Sequence, residues 1–162
     1  MGLDPASARA HDNLGDALAW VPGRMPEAIR HLEAAVRLAP ASARTQADLG
    51  KSLLRIPARL ADAIGHLEVA VQIDPRSAGV HSDLGMALLQ VPNRLPEAIA
   101  HLKTAIRLDP NLPQAHYVLG LALDSMPGRQ REARAEMETA LRVQPDFQPA
   151  RVWLDRQTGL QP

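Results

Sequence analysis

The chain has 162 residues, of which 46% are apolar, 22% charged and 2% aromatic; that suits one compact domain or one short repeat array, not a large multidomain enzyme. Eighteen basic and eighteen acidic residues cancel, which removes the bulk electrostatic case for nucleic acid or an anionic membrane. Cysteine is absent, so disulfides, thiolate metal sites and cysteine nucleophiles are excluded together, and no apolar run approaches the roughly 18 residues of a membrane span.

The first predicted element is a helix from Ala6 to Trp20, where Ala10, Leu14, Ala17, Leu18 and Val21 recur at helical spacing. Val21-Pro22-Gly23 interrupts it, and a second helix follows from Met25 to Leu38 with Ala28, Ile29, Leu32, Ala35 and Val36 on one face. The segment closes at Pro40, and the whole pattern then starts again. Pro5, Pro40, Pro75, Pro110 and Pro145 stand 35 residues apart, as do Gly15, Gly50, Gly85 and Gly120, each behind a leucine. Ala28, Ala63, Ala98 and Ala133 keep the same period, as do Ala35, Ala70, Ala105 and Ala140. The chain is a repeat protein.

The turn recurs as Ile56-Pro57-Ala58, Val91-Pro92-Asn93 and Met126-Pro127-Gly128. Glycine and asparagine tolerate the left-handed backbone that closes such a turn; alanine does so poorly, which predicts a distorted second turn at Ala58. The recurring small residues read as helix crossings, with Gly15 and Ala28 allowing contact inside a repeat and Ala35 contact with the next. Each helix pair leaves a face that only a neighbour can bury, so the expected architecture is an all-α solenoid of nine helices, elongated and curved.

The run His11-x-x-Leu14-Gly15-x-x-Leu18, followed by Ala28-x-x-x-Leu32, Ala35 and Pro40, resembles the tetratricopeptide repeat. His11, Leu18 and Leu32 stand where that family usually carries aromatic residues, and the unit is one residue longer than the usual 34 or so. The resemblance implies a single array over residues 3–157, with repeats at about 6–40, 41–75, 76–110 and 111–145 and a capping helix at 146–157. It implies a protein-interaction scaffold that takes a peptide or helical segment in a concave groove. The Pro-Gly-Arg turns also resemble 35-residue arrays in long bacterial chains beside glycosyltransferase or membrane modules. The alternatives are therefore a docking region of such a larger chain, or a self-assembling scaffold. Sixteen arginines against two lysines fit a bacterial source.

In the family resembled, the first helix of each repeat lines the groove. That places Arg9, Asp12, Asn13, Asp16 and Trp20 on it from the first repeat, and Arg44, Asp48, Lys51 and Arg55 from the second. Asp83, Met86 and Leu89 follow from the third, and Tyr117, Leu121 and Asp124 from the fourth. These positions vary while the packing columns do not, giving a charged N-terminal half and an apolar C-terminal half that together read a partner. Charge pairing such as Asp16 with Lys51 is the structural explanation of the same residues. Asp12 and Asp16 occupy positions where the family's carboxylate clamp needs lysine and asparagine, so that clamp is not expected.

No zinc-protease motif, nucleophile elbow or phosphate-binding loop is present, so neither catalysis nor a cofactor is expected. Glu27, Asp62, Glu97 and Glu132 read as first-turn acids complementing helix N-termini. The six histidines form two columns, His31, His66 and His101, and His11, His81 and His116. Members of one column lie about 10 Å apart on stacked helices, too far to share a metal, and are expected to half-bury at helix edges. The first helix exposes Ala10, Leu14 and Ala17, the columns that later repeats bury against the preceding helix. The expectation is that this segment comes from a longer array, or that its N-terminal face is covered by a second copy. Met1 leads into Gly-Leu-Asp-Pro without a signal-peptide pattern, so a cytoplasmic location is expected, and the expected partner is a protein or peptide, with no nucleic acid and no membrane insertion by this segment.

Overall fold

The computed structural model describes residues 7–158, and the described chain is all-α. Nine α-helices occur among the described residues: α1 (Ala8–Ala19), α2 (Met25–Leu38), α3 (Ala43–Leu53), α4 (Leu60–Ile73), α5 (Ala78–Leu88), α6 (Leu95–Leu108), α7 (Pro113–Asp124), α8 (Gln130–Val143) and α9 (Gln148–Thr158). The expected start of the array at residue 3, with Pro5 and Ala6, lies outside the described residues. Two compact units divide the chain at Arg76 and Ser77. The N-terminal unit holds α1–α4 and the C-terminal unit α5–α9, and within each unit every helix packs on the next.

Local chemistry sets the helix ends. The Ser7 and Ser42 hydroxyls accept the N–H groups of Ala10 and Thr45 at 3.3 Å, satisfying donors that the first turns of α1 and α3 leave open. The second helix of each pair starts differently. Arg24, Arg59, Arg94 and Arg129 precede α2, α4, α6 and α8, and each pairs with the acid three residues on: Glu27, Asp62, Glu97 and Glu132. The acids therefore face both a helix N-terminus and a guanidinium. Gly23, Asn93 and Gly128 take positive φ values of 78°, 68° and 79°. Alanine cannot join them cheaply, and the turn at Pro57–Arg59 winds into a short 3-10 helix instead. That is the distortion the sequence predicts.

The core is built from the 35-residue columns. Leu32, Leu67, Leu102 and Met137 are fully buried, and each lies against the glycine of the preceding helix. A Cβ on Gly15 would stand 2.6 Å from Leu32 Cγ and 3.0 Å from the Ala28 carbonyl; Gly50 faces Leu67 Cγ at 2.7 Å, Gly85 faces Leu102 Cγ at 2.6 Å, and Gly120 faces Met137 Cε at 2.8 Å. Glycine is needed here for close approach, since the helical backbone itself would accept alanine. In the C-terminal unit Leu102, Val118, Leu119, Ala122, Leu123 and Ala133 form one cluster, and Met137, Ala140, Phe147 and Ala150 form another that holds α9. Tyr117 and Trp153 touch both clusters, so the face of α7 that meets α9 rests on two layers of core.

Candidate functional site

In the N-terminal unit the groove residues of α1 and α3 are tied together by charge. Asp12 is buried, at 3% exposure, and Arg44 Nε reaches its carboxylate at 3.1 Å. Arg44 also lies 3.5 Å from Asp48 and donates to the Asn13 side-chain oxygen at 3.2 Å. Burial, reinforced by the nearby Asp48 charge, pushes the Asp12 carboxyl above its ordinary range, and Arg44 offsets this only in part. Asp12 thus lies beneath Arg44 and offers no open surface to a partner. Lys51 pairs with Asp48 at 3.1 Å on its own helix, and Asp12 with Arg44 is a charge pair between α1 and α3.

Beyond this network the surface opens. Arg9, Asn13 and Lys51 are exposed, and Trp20, just past the end of α1, is 75% exposed. The Arg55 guanidinium lies 5.8 Å from the Trp20 ring centroid, within cation–π range, and donates to the Ala19 carbonyl at the end of α1. Asp16, Ala19, Trp20, Lys51, Ser52 and Arg55 line a small cavity of about 60 Å³. An indole this exposed, held on one side by a guanidinium, presents its other side ready to stack.

The C-terminal unit brings together a different set. Met86 on α5, Leu89 just past its end, and Tyr117 and Leu121 on α7 give apolar surface, with Met86 the most exposed of the four. Leu89, Val91, Pro92, Leu95 and Leu121, rimmed by Gln90, Asn93 and Ser125, enclose a cleft of about 530 Å³. Half-buried Asp124 ends α7 and accepts the Trp153 indole N–H at 3.2 Å; Asp83 on α5 is also half-buried. Tyr117 is braced from behind by the edge of Phe147, with ring centroids 5.6 Å apart.

The histidines do more than sit at helix edges. Treating each column alone misses that the two positions, 20 residues apart, meet inside every repeat, histidine on histidine in the first and third. His11 and His31 bring their Nδ1 atoms to 2.8 Å, and His81 and His101 to 2.9 Å, so each pair shares one proton. Gln46 accepts from His66 Nδ1 at 2.7 Å while donating to the Pro40 carbonyl. His116 faces the Glu136 carboxylate at 2.7 Å through Nδ1 and the Pro110 carbonyl at 3.0 Å through Nε2. With Glu136 ionised both partners of His116 only accept, so together they favour the doubly protonated imidazolium form. Among the described residues no group of three or more histidines, aspartates and glutamates could hold a metal ion.

These environments have opposite consequences for stability. The Glu136 hydrogen bond raises the His116 pKa above 6.5, so its stabilisation is complete below that value and is lost as pH rises through the folded pKa. Burial lowers the His66 pKa, so its contribution is complete above 6.5 and is lost as pH falls below that value. Histidine Cε1–H signals followed by NMR should show His116 titrating above 6.5 and His66 below it. His116→Gln should abolish the alkaline loss of stability in the C-terminal unit; an unchanged alkaline limb would contradict the assignment.

Sequence reasoning passed over the arginine column at 24, 59, 94 and 129, although its 35-residue period is as plain as that of the acids it holds. It also gave no site role to Trp153 or to the cleft residues Val91, Pro92, Leu95 and Ser125, which come from α9, from turns and from the start of α6 and carry no first-helix signature. No helix among the described residues is long and apolar enough to cross a membrane.

Two family models match the chain, one described as tetratricopeptide repeat over residues 18–78 and one as TPR repeat over residues 93–125. No curated protein matches in sequence. Among solved structures, MamA is 28% identical, with 94% of this chain and 83% of that one covered and a TM-score of 0.71. TTC0263, a thermophilic TPR protein of Thermus thermophilus, is 22% identical over 95% of this chain and 84% of its own, with a TM-score of 0.83. YrrB, described as a TPR protein with an unusual peptide-binding site, is 23% identical over 91% and 74%, with a TM-score of 0.71.

Proposed function

The chain belongs to the tetratricopeptide-repeat family, and we propose that it is a non-catalytic protein-interaction scaffold whose first-helix faces bind a peptide or helical segment of a partner. The array enters this reading with the extent the sequence gives it, residues 3–157. The observation that carries it is Trp20: a large aromatic side chain left three-quarters exposed beside Arg55 and Lys51, well beyond the other exposed large apolar side chains of the described residues, of which Leu38 comes next at 46%. Exposed aromatics backed by arginine are the residue types that dominate binding energy at interfaces. The glycine, leucine and alanine columns repeat while this face changes from repeat to repeat, which is how one scaffold would acquire a private surface.

Selection of peptides from a displayed random library against the chain tests the proposal. The selected peptides should lose about tenfold or more in affinity against a Trp20→Ala/Lys51→Glu variant, a hot-spot-sized effect. Its melting temperature should barely move, because both side chains are exposed. Arg55 is a poorer probe, since its bond to the Ala19 carbonyl ties α3 to the end of α1 and its loss would also cost stability. Equal affinity for the variant, with loss instead on Arg30→Glu or Arg37→Glu of α2, would sink the groove reading.

A second reading rests on α1. Ala17 is exposed and Ala10 and Leu14 are half-buried, while Thr45, Leu49 and Ser52, one repeat on, are buried where α2 covers α3. Such a face suits self-association, and light scattering over a concentration series tests it.

A further inference from the structure

Resting on the scaffold reading, we propose that the cleft of the C-terminal unit takes an apolar side chain of the partner, and that a neighbouring lysine or arginine of the same partner segment pairs with Asp124. Leu89, Val91, Pro92, Leu95 and Leu121 supply the apolar lining, and no cation lines the cleft. Its volume, about 530 Å³, exceeds what one leucine or phenylalanine needs, leaving room for the backbone beside it.

The charge argument comes from the ends of α5 and α7, which both finish at this cleft through Leu89 and Gln90 and through Leu121 and Ser125. The C-terminus of a helix carries partial negative charge on its unbonded carbonyls, which a basic residue in the last turn normally answers. Arg107 and Arg142 do so in α6 and α8. Neither α5 nor α7 has a basic residue in its last turn. Asp124 adds a full negative charge where the α7 dipole is already unfavourable, and its bonding partner is the neutral Trp153 indole. In the N-terminal unit, by contrast, Asp12 and Asp48 are answered by Arg44 and Lys51. Two negative helix ends at an apolar cleft, with a carboxylate without a cation next in the chain to Ser125 of its rim, call for a partner that brings both an apolar group and a positive charge.

The test uses short peptides selected from a displayed random library against the whole chain, in parallel with the Asp124→Asn and Leu121→Glu variants. Selection on the parent should enrich leucine, isoleucine, methionine or phenylalanine close to lysine or arginine. NMR should place these peptides on the methyl groups of Leu89, Leu95 and Leu121. Asp124→Asn should weaken the basic peptides roughly two- to fivefold, as expected for a partly exposed ion pair, while glutamate-for-lysine versions of the peptides gain against it. Leu121→Glu should abolish their binding. Selection that yields no such pair, or peptides whose affinity is the same for Asp124→Asn, overturns the inference. Peptides that map to Trp20 and Lys51 alone overturn it as well, while leaving the scaffold reading intact; recovery of no peptide at all overturns both.

Discussion

Gly85→Ala and Leu102→Ala will each destabilise the C-terminal unit, and the double variant will be more stable than the sum of the two losses allows. Leu102 is fully buried between α5 and α6, so truncation leaves a cavity and costs roughly 2–5 kcal/mol. A methyl on Gly85 would stand 2.6 Å from Leu102 Cγ and 2.9 Å from its Cδ2, an overlap worth about 1–3 kcal/mol before the helix-propensity gain of alanine is counted. Once Leu102 is gone, the same methyl projects into the vacated space, and the remaining tight contact, 3.3 Å to the Ala98 carbonyl, needs only a small backbone adjustment. A coupling of about 1–3 kcal/mol in favour of the double variant should appear in urea unfolding followed on C-terminal-unit signals. Strict additivity would mean that the glycine column is kept for some reason other than helix approach.

Phe147→Ala will be among the most costly single changes in the molecule. Phe147 is 8% exposed, stands at the start of α9 and packs its edge on Tyr117 within the cluster that includes Met137, Ala140 and Ala150. Its removal should cost roughly 3–5 kcal/mol and release α9 before the rest of the unit unfolds. Trp20→Phe leaves Trp153 as the one remaining tryptophan of the sequence. In that background, Phe147→Ala should red-shift the emission as the indole leaves Asp124 and meets water. Amides of α9 should lose hydrogen-exchange protection while those of α7 keep theirs. Equal loss in both helices would show that α9 is integral to the unit and not a removable cap.

The helix pairs were legible because their causes are periodic. Glycine opposite leucine (methionine in the fourth repeat) and alanine beside glycine recur every 35 residues, and each reflects one local requirement of packing. The altered turn at Ala58 was legible for the same reason: a single residue type fails where glycine or asparagine succeeds. The candidate site was less legible because side-chain reach, not helix face, decides it. Asp12 has the position of a groove residue, yet Arg44 from the next repeat folds over it. The histidine columns looked independent until helix pairing set His11 on His31 and His116 on Glu136, although the constant 20-residue offset was there to be read. Trp153 reaches Asp124 from 29 residues away, a distance no short motif encodes.

The central claim is that a uniform packing frame carries a separable binding face. It is tested most directly by substituting every residue of the displayed chain and scoring each variant twice, for folding by resistance to protease and for binding to the selected peptides. Changes at Gly15, Gly50, Gly85 and Gly120, at Leu32, Leu67 and Leu102, and at the buried alanines should lose both signals together. Changes at Trp20, Lys51 and Asp124 should lose binding while resistance to protease stays near the parent, and changes at Leu89 and Leu121, which also pack on the core, should lose more binding than resistance. The account is contradicted if binding-only losses gather instead on exposed positions of the second helices, such as Arg30, Arg37, Lys103 and Arg107, or if no position separates the two signals.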